Sequence, residues 1–141
     1  MAATRTASAH WEGTLLEGSG QVTFTSSGLG THDVTWASRT EEANGRTSPE
    51  ELIAAAHSTC YSMSLSNVLT KAGTPPTSLD TSADVTFQPG TGITGVALTV
   101  TGSVPGITAE QFVEAAEDAK VACPVSQALS VPITLEAHFA Q

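Results

Sequence analysis

Two cysteines are the residues of this sequence best suited to covalent chemistry, and they stand 63 positions apart. Cys60 lies in a long stretch without charge, whereas Cys123 directly precedes Pro124. A proline at that position favours the start of a new helical turn, and a helix N-terminus stabilises a thiolate. Free cysteines are often small buried apolar side chains. The pair is therefore compatible with a redox couple or with two structural residues.

A histidine lies close to the first cysteine. His57 precedes Cys60 by three residues, so a helix would place both on one face. It could act as a base toward the thiol or, with both cysteines, as a zinc ligand. A core histidine with a hydrogen bond to the backbone is the alternative. These residues alone leave open a zinc-binding domain, a cysteine hydrolase and a non-catalytic ligand-binding module with structural cysteines.

Two charged residues are the remaining candidates for a role in chemistry. Arg39 is one of three arginines, and Glu50 follows Pro49. A carboxylate in the first turn of a helix is favoured by the helix dipole whatever else it does. On spacing alone, each residue could equally be a solvated surface charge.

A long helix, predicted over residues 49–72, must position most of these side chains. Ser48 suits its N-cap and Glu51 completes a capping box, while Gly73 ends it. No charged side chain lies between Glu51 and Lys71. We therefore expect the helix to be buried on every side, with cover that a second copy of the chain could supply.

Alternating apolar and polar residues predict strands around this helix, each with one buried face and one face in water. The strands are predicted over residues 9–12, 21–25, 34–40, 82–87, 96–101 and 133–139. A second helix is predicted from Thr108 to Val121, and a further turn from Val125 to Leu129. Strands and helices in separate blocks predict an α+β fold, with antiparallel sheets packed around the long helix in a single domain of residues 1–141.

The composition excludes several classes of function. Fourteen acidic against five basic residues give a net charge of −9, which is unsuited to binding nucleic acid or anionic lipid. No apolar run is long enough to span a membrane. The first residues lack the apolar stretch of a signal peptide, so we expect a cytoplasmic protein with reduced thiols.

Two long motifs closely resemble the signatures of the OsmC/Ohr family of cysteine peroxidases. SPEELIAAAHSTCYSM, residues 48–63, resembles the first signature, and ACPVSQAL, residues 122–129, resembles the second. Three shorter segments are similar to the OsmC branch rather than the Ohr branch: HWEG at 10–13, TSLDT at 77–81 and ITL at 133–135. The resemblance covers essentially the whole chain and implies an OsmC/Ohr-like fold in an intertwined homodimer.

The resemblance also implies an activity and assigns residues to it. The activity is that of a thiol-dependent peroxidase, which reduces organic hydroperoxides and, more weakly, hydrogen peroxide. Cys60 matches the peroxidatic cysteine, Cys123 the resolving cysteine and Glu50 the carboxylate of the active-site network. Arg39 matches the arginine of the OsmC branch, with Arg46 as the alternative. His57 fits the motif without an assigned role.

The implied reaction begins when the Cys60 thiolate attacks the peroxide O–O bond and becomes a sulfenic acid. Cys123 then condenses with it to a disulfide. An external dithiol, a dihydrolipoyl protein or a thioredoxin, reopens that bond, and no metal, haem or other cofactor is required.

Simple physics adds two expectations about this site. In an apolar setting the pKa of Cys60 would rise, so an arginine held by Glu50 is needed to stabilise the thiolate. Glu50 and Cys60 are ten residues apart, about 15 Å along a helix axis. We therefore expect Glu50 of one chain to approach Cys60 of the other.

Overall fold

The computed structural model describes residues 1–140, and in it the chain divides into two compact units. The first unit is Met1–Leu52, and the second comprises the residues from Ile53 onward. Their boundary falls in the first turn of the long helix, Pro49–Lys71. Organisation as a single domain stays a prediction.

The first unit contains a small antiparallel sheet of three strands in the order β1-β2-β3. These are β1 (Ser8–Glu12), β2 (Ser19–Thr23) and β3 (Thr31–Val34), followed by the short helix α1 (Trp36–Thr40). Every residue of β1 is exposed. The expectation that this strand would have one buried face is therefore wrong for the isolated chain.

The helix α1 corrects a second expectation, which was a strand from Val34 to Thr40. The strand ends at Val34 because Thr35 is a helix N-cap with extended backbone, φ −142° and ψ 165°. The Thr35 hydroxyl accepts a hydrogen bond from the Ser38 N–H, and the Ser38 hydroxyl accepts one from the Thr35 N–H, each at 3.0 Å. This capping box starts a helix and places Arg39 in its last turn.

The second unit contains most of the long helix, a second sheet and two further helices. The elements are α2 (Pro49–Lys71), β4 (Ser78–Gln88), β5 (Gly92–Ser103), α3 (Ala109–Ala122), α4 (Pro124–Ala128) and β6 (Ile133–Phe139). The sheet order is β4-β5-β6. The pair β4 and β5 is an antiparallel hairpin, but β5 and β6 run parallel. The expectation of purely antiparallel sheets is wrong here, because the helical crossover through α3 and α4 returns the chain in the same direction.

The core of the second unit is built from one stripe of α2, alternate positions of β5 and one face of α3. Its buried apolar residues are Tyr61, Leu65, Leu69, Val96, Leu98, Val100, Val104, Phe112, Ala116, Ala119 and Cys123. The α2 members follow one another at intervals of four residues, the spacing of a single helix face. On other faces of α2, Ala55, Thr59 and Met63 are exposed. The expectation of a helix buried on every side is therefore wrong for the isolated chain.

The helix starts are set by local hydrogen bonds. At the start of α3, Thr108 and Gln111 form a capping box with both of its hydrogen bonds present. At the start of α2, the Ser48 hydroxyl accepts from the Glu51 N–H at 3.2 Å, as predicted. The Glu51 carboxylate, however, accepts from the Thr47 hydroxyl at 2.6 Å, so it does not act as the expected capping-box partner. No helix in the described part of the chain is both long and apolar enough to cross a membrane.

Candidate active site

The fold of the second unit brings the two cysteines into contact. Cys60 lies in the middle of α2 and is partly exposed, whereas Cys123 lies between α3 and α4 and is 0% exposed. Both are free thiols, and each shifts the pKa of the other, so the two side chains are neighbours. Two residues 63 positions apart in sequence therefore lie side by side in the core of this unit.

Cys123 owes its position to a break between two helices. Its N–H donates to the Ala119 carbonyl at 2.9 Å and closes α3, while its own carbonyl accepts from the Gln127 N–H at 3.0 Å and opens α4. Pro124 fits the first position of α4 because a proline lacks the N–H that would be unpaired there. The chain therefore turns at Cys123, as the Cys-Pro sequence predicted.

The surroundings shift the pKa values of the two thiols in opposite directions. Burial raises the pKa of Cys60; a hydrogen bond from the Val125 N–H opposes this, but contact with Cys123 reinforces it, and the pKa is raised overall. Burial also raises the pKa of Cys123. Hydrogen bonds from the N–H and hydroxyl of Ser126, then from the Cys60 thiol and the Val125 N–H, outweigh burial, so that this pKa is lowered overall. Within one chain, Cys123 is therefore the thiol that ionises more readily.

The first unit holds the other two predicted site residues, and it pairs them. The Arg39 Nε atom donates to Glu50 Oε1 at 3.0 Å and Oε2 at 3.2 Å, and Nη2 donates to Oε2 at 2.9 Å. The Glu50 side chain is 8% exposed, so this fork fixes the guanidinium firmly. The Trp36 ring centroid lies 5.7 Å from the Arg39 guanidinium carbon, within the range of a cation–π contact.

Arg46, the alternative arginine, has a different environment. It is exposed and lines a separate cleft of the first unit together with Glu12 and Asp33. The arginine that forms the ion pair with Glu50 is Arg39. The catalytic role of this pair stays a prediction.

An apolar groove of about 440 Å³ opens beside Arg39 in the first unit. Its walls include Trp11, Trp36, Pro49 and Leu52, and Arg39 is its charged member. A groove of this composition can hold an apolar group whose polar end meets a guanidinium.

His57 makes a contact that sequence reasoning missed. The side chain is fully buried, and its Nε2 atom lies 2.8 Å from the Ser126 hydroxyl oxygen in α4. Ser126 also hydrogen bonds to Cys123. The sequence linked His57 to Cys60 on the same helix, whereas the structure links it through Ser126 to Cys123. The serine three residues after Cys123, a position from which a side chain and N–H reach a helix N-cap, was a signal for the contact between Ser126 and Cys123 but not for the one with His57.

The zinc site considered for His57 and the two cysteines can be compared with the side chains that the structure describes. Among them, no group of three or more His, Cys, Asp or Glu side chains is arranged to hold a metal ion. Burial lowers the pKa of His57, which keeps its ring neutral.

Comparison with known proteins gives a consistent result. The family model described as OsmC-like protein matches residues 42–137. The chain is 46% identical over 131 residues to Peroxiredoxin OsmC of Escherichia coli (strain K12), which covers 91% of each protein.

Solved structures share the fold at lower identity. An organic hydroperoxide resistance protein OsmC from Legionella pneumophila is similar with a TM-score of 0.68 and 20% identity, over 99% of this chain and 100% of that one. The organic hydroperoxide resistance protein OhrB of Bacillus subtilis is similar with a TM-score of 0.64 and 18% identity, over 95% and 97%.

Proposed function

Because this chain belongs to the OsmC-like protein family and is a cysteine-based peroxidase, we propose that Cys60 and Cys123 share its catalytic cycle. The Cys60 thiolate attacks one oxygen of the peroxide, the O–O bond breaks, and an alcohol leaves after taking up a proton. The Cys123 thiolate then attacks the sulfur of the Cys60 sulfenic acid, which forms the disulfide and releases hydroxide that takes up a proton to become water. The contact between the two thiols is the observation that carries this proposal.

Exposure favours Cys60 as the cysteine that meets the peroxide. It is partly exposed, whereas Cys123 is 0% exposed. Cys123, with its lowered pKa, is suited to attack the neighbouring sulfenic acid without contact with solvent. Cys60 has a raised pKa in one chain, so a positive charge is needed to generate its thiolate. We assign that charge to Arg39, held in place by Glu50.

A second copy of the chain is the proposed source of this charge. Glu50 and Cys60 are ten residues apart on α2, about 15 Å along the axis. Glu50 therefore does not reach the sulfur of Cys60 on the same helix. A two-fold dimer supplies Arg39 and Glu50 from one chain to Cys60 of the other. The exposed, uncharged α2 residues, such as Thr59 and Met63, are suitable for such an interface. So are the exposed strand β1 and the apolar groove beside Arg39.

The proposed substrate is an organic hydroperoxide. The groove beside Arg39 suits an apolar group with a polar end, and hydrogen peroxide lacks the apolar part, so we expect it to react more weakly. A dithiol, dihydrolipoyl or thioredoxin-like, reopens the disulfide. We place the protein in the cytoplasm, where such reductants keep thiols reduced.

A single-turnover experiment with one equivalent of cumene hydroperoxide tests the roles of the cysteines. Cys60→Ser should consume no peroxide. Cys123→Ser should consume about one equivalent and stop as a sulfenic acid that dimedone traps. Peroxide consumption by Cys60→Ser but not by Cys123→Ser would reverse the two roles. Normal turnover of Cys123→Ser with a small dithiol would remove the resolving role of Cys123.

A further inference from the structure

The side chains of His57 and Ser126 lead to Cys123, and the cycle above uses neither of these two residues. His57 is fully buried on α2, and Ser126 is 9% exposed on α4. The histidine Nε2 and serine oxygen atoms are 2.8 Å apart, and the serine hydroxyl contacts the Cys123 sulfur. A buried histidine that reaches the reactive pair through a serine calls for a chemical explanation.

The direction of each hydrogen bond follows from the partners available. A neutral histidine has one N–H, and its Nδ1 atom has no hydrogen-bond partner among the described residues. A buried N–H without an acceptor is rare and costly, so the proton belongs on Nε2, which donates to Ser126. The Ser126 hydroxyl can then donate its own proton to the sulfur of Cys123. If Nδ1 carried the proton instead, its N–H would have no acceptor. The Ser126 hydroxyl would then donate its proton to Nε2 and not to the sulfur of Cys123.

The cation nearest to Cys123 in sequence, Lys120 on α3, is paired with Glu117 at 3.3 Å, and none of the causes that shift the pKa of Cys123 is a cation. Cys60 and Tyr61 approach from α2, and burial, followed by the charges of Glu117 and Cys123, raises the pKa of Tyr61, so its ring stays neutral. Glu117 on α3 carries a negative charge, and His57 is neutral. Stabilisation of a Cys123 thiolate within the described chain therefore comes from hydrogen bonds.

We propose that His57 and Ser126 are positioning residues that hold Cys123 as the leaving thiolate when a dithiol reduces the Cys60–Cys123 disulfide. The inference rests on the proposed function, because it requires that disulfide. The attacking thiolate bonds to the Cys60 sulfur, which is the accessible one, and the S–S bond breaks with its electron pair on Cys123. The second thiol of the dithiol then attacks the mixed disulfide and releases Cys60 as a thiolate. The dithiol leaves as its own disulfide, so two electrons have passed to the protein.

The chain favours this direction of attack for two reasons. Cys123 is 0% exposed and Cys60 is partly exposed, so an external thiol reaches only Cys60. A leaving thiol of lower pKa departs faster in thiol–disulfide exchange, and the hydroxyl and N–H of Ser126 lower the pKa of Cys123. His57 adds to this effect by fixing the hydroxyl proton toward the sulfur.

The test measures the rate at which dithiothreitol reduces the oxidised protein. Ser126→Ala and His57→Leu should slow this reduction roughly threefold to tenfold, because the leaving thiolate is less stabilised. His57→Gln, whose amide nitrogen reaches the position of Nε2, should restore the rate. His57→Asn has the same chemistry but a shorter reach, so it should remain slow. Ser130→Ala, an exposed serine just after α4, is the control and should react normally.

A second readout separates positioning from folding. In a Cys60→Ser background, the thiolate absorbance of Cys123 is followed against pH. Ser126→Ala and His57→Leu should raise its pKa, and His57→Gln should return it toward the parent value. If Ser126→Ala and His57→Leu form the disulfide, are reduced at the parent rate and leave the pKa of Cys123 unchanged, this inference is wrong and the proposed function stands. A parent protein that forms no Cys60–Cys123 disulfide with peroxide would overturn it together with the proposed function.

Discussion

In the first unit, Arg39 and Glu50 form an ion pair beside an apolar groove, whereas in the second unit Cys60 and Cys123 meet in a buried core. The pair of Arg39 and Glu50 is charged, but the first unit contains no cysteine. The second offers thiols, and none of the groups that shift the pKa of Cys60 is a cation. Burial and Cys123 raise the pKa of Cys60, and our proposal is that a partner chain supplies the missing positive charge. The account therefore requires a charged pair to reach Cys60 from a partner chain.

The largest expected effect in this comparison is at the guanidinium. Arg39→Lys keeps the charge but loses the planar fork that binds Glu50 through two nitrogens. The peroxide step should slow by at least about tenfold, equivalent to about 1.4 kcal/mol of barrier, and the pKa of Cys60 should rise. Stopped-flow peroxide consumption and thiolate titration in a Cys123→Ser background measure the two effects.

The matched control is Arg46→Lys, since Arg46 is exposed and lines a different cleft. It should leave both measurements unchanged. If Arg46→Lys slowed the reaction while Arg39→Lys did not, the role would belong to Arg46. A loss of rate without any change in the pKa of Cys60 would mean that Arg39 binds substrate only.

A smaller effect is expected at the helix cap that positions Arg39. Thr35→Ala removes the capping box of α1, which costs about 1 kcal/mol of local helix stability. Because α1 is only one and a half turns long and carries Arg39, we expect peroxide turnover to fall by a few-fold. Steady-state turnover and the free energy of unfolding should be measured together.

Thr108→Ala is the counterpart in the second unit, because Thr108 caps α3 with the same type of box. It should lower the free energy of unfolding by about 1 kcal/mol and leave turnover unchanged once the protein is folded. Equal losses of turnover in the two variants would indicate that both act through stability alone. The claim that α1 affects turnover by positioning Arg39 would then be wrong.

Local signals in the sequence predicted the regular elements well. The long helix and α3 were correctly predicted because caps, a terminal glycine and apolar spacing lie within a few residues of one another. The helix α1 was missed because five residues are too few for a helical period, and its capping box uses Ser38 in place of the usual Glu or Gln. The parallel direction of β6 was missed because it is decided by tertiary packing after a long crossover.

The site residues likewise differ in whether local sequence signals or distant contacts determine their surroundings. The motifs around Cys60 and Cys123 indicated two reactive cysteines, and the family resemblance assigned Arg39 and Glu50 to one network. The structure pairs these two side chains. The partner of His57 lies 69 positions away at Ser126, so no local pattern could have indicated it. The opposite pKa shifts of the thiols also depend on that distant contact and on burial.

The central claim is that Arg39 and Glu50 serve Cys60 of the partner chain, and complementation between two inactive variants tests it most directly. Cys60→Ser and Glu50→Ala proteins carrying different tags are mildly unfolded, refolded together, and the mixed dimers are purified. If Glu50 acts on the other chain, half of the sites in each mixed dimer combine an intact Cys60 with an intact Glu50. Peroxidase activity should then return well above that of either parent.

A mixture of Cys60→Ser and Cys123→Ser is the matched control for this measurement. The two cysteines meet within one chain, so no site of that mixed dimer contains both, and steady turnover should not return. Purified mixed dimers of Cys60→Ser and Glu50→Ala with no activity above the parents, or a wild-type chain that is fully active as a monomer at micromolar concentration in the ultracentrifuge, would contradict the account.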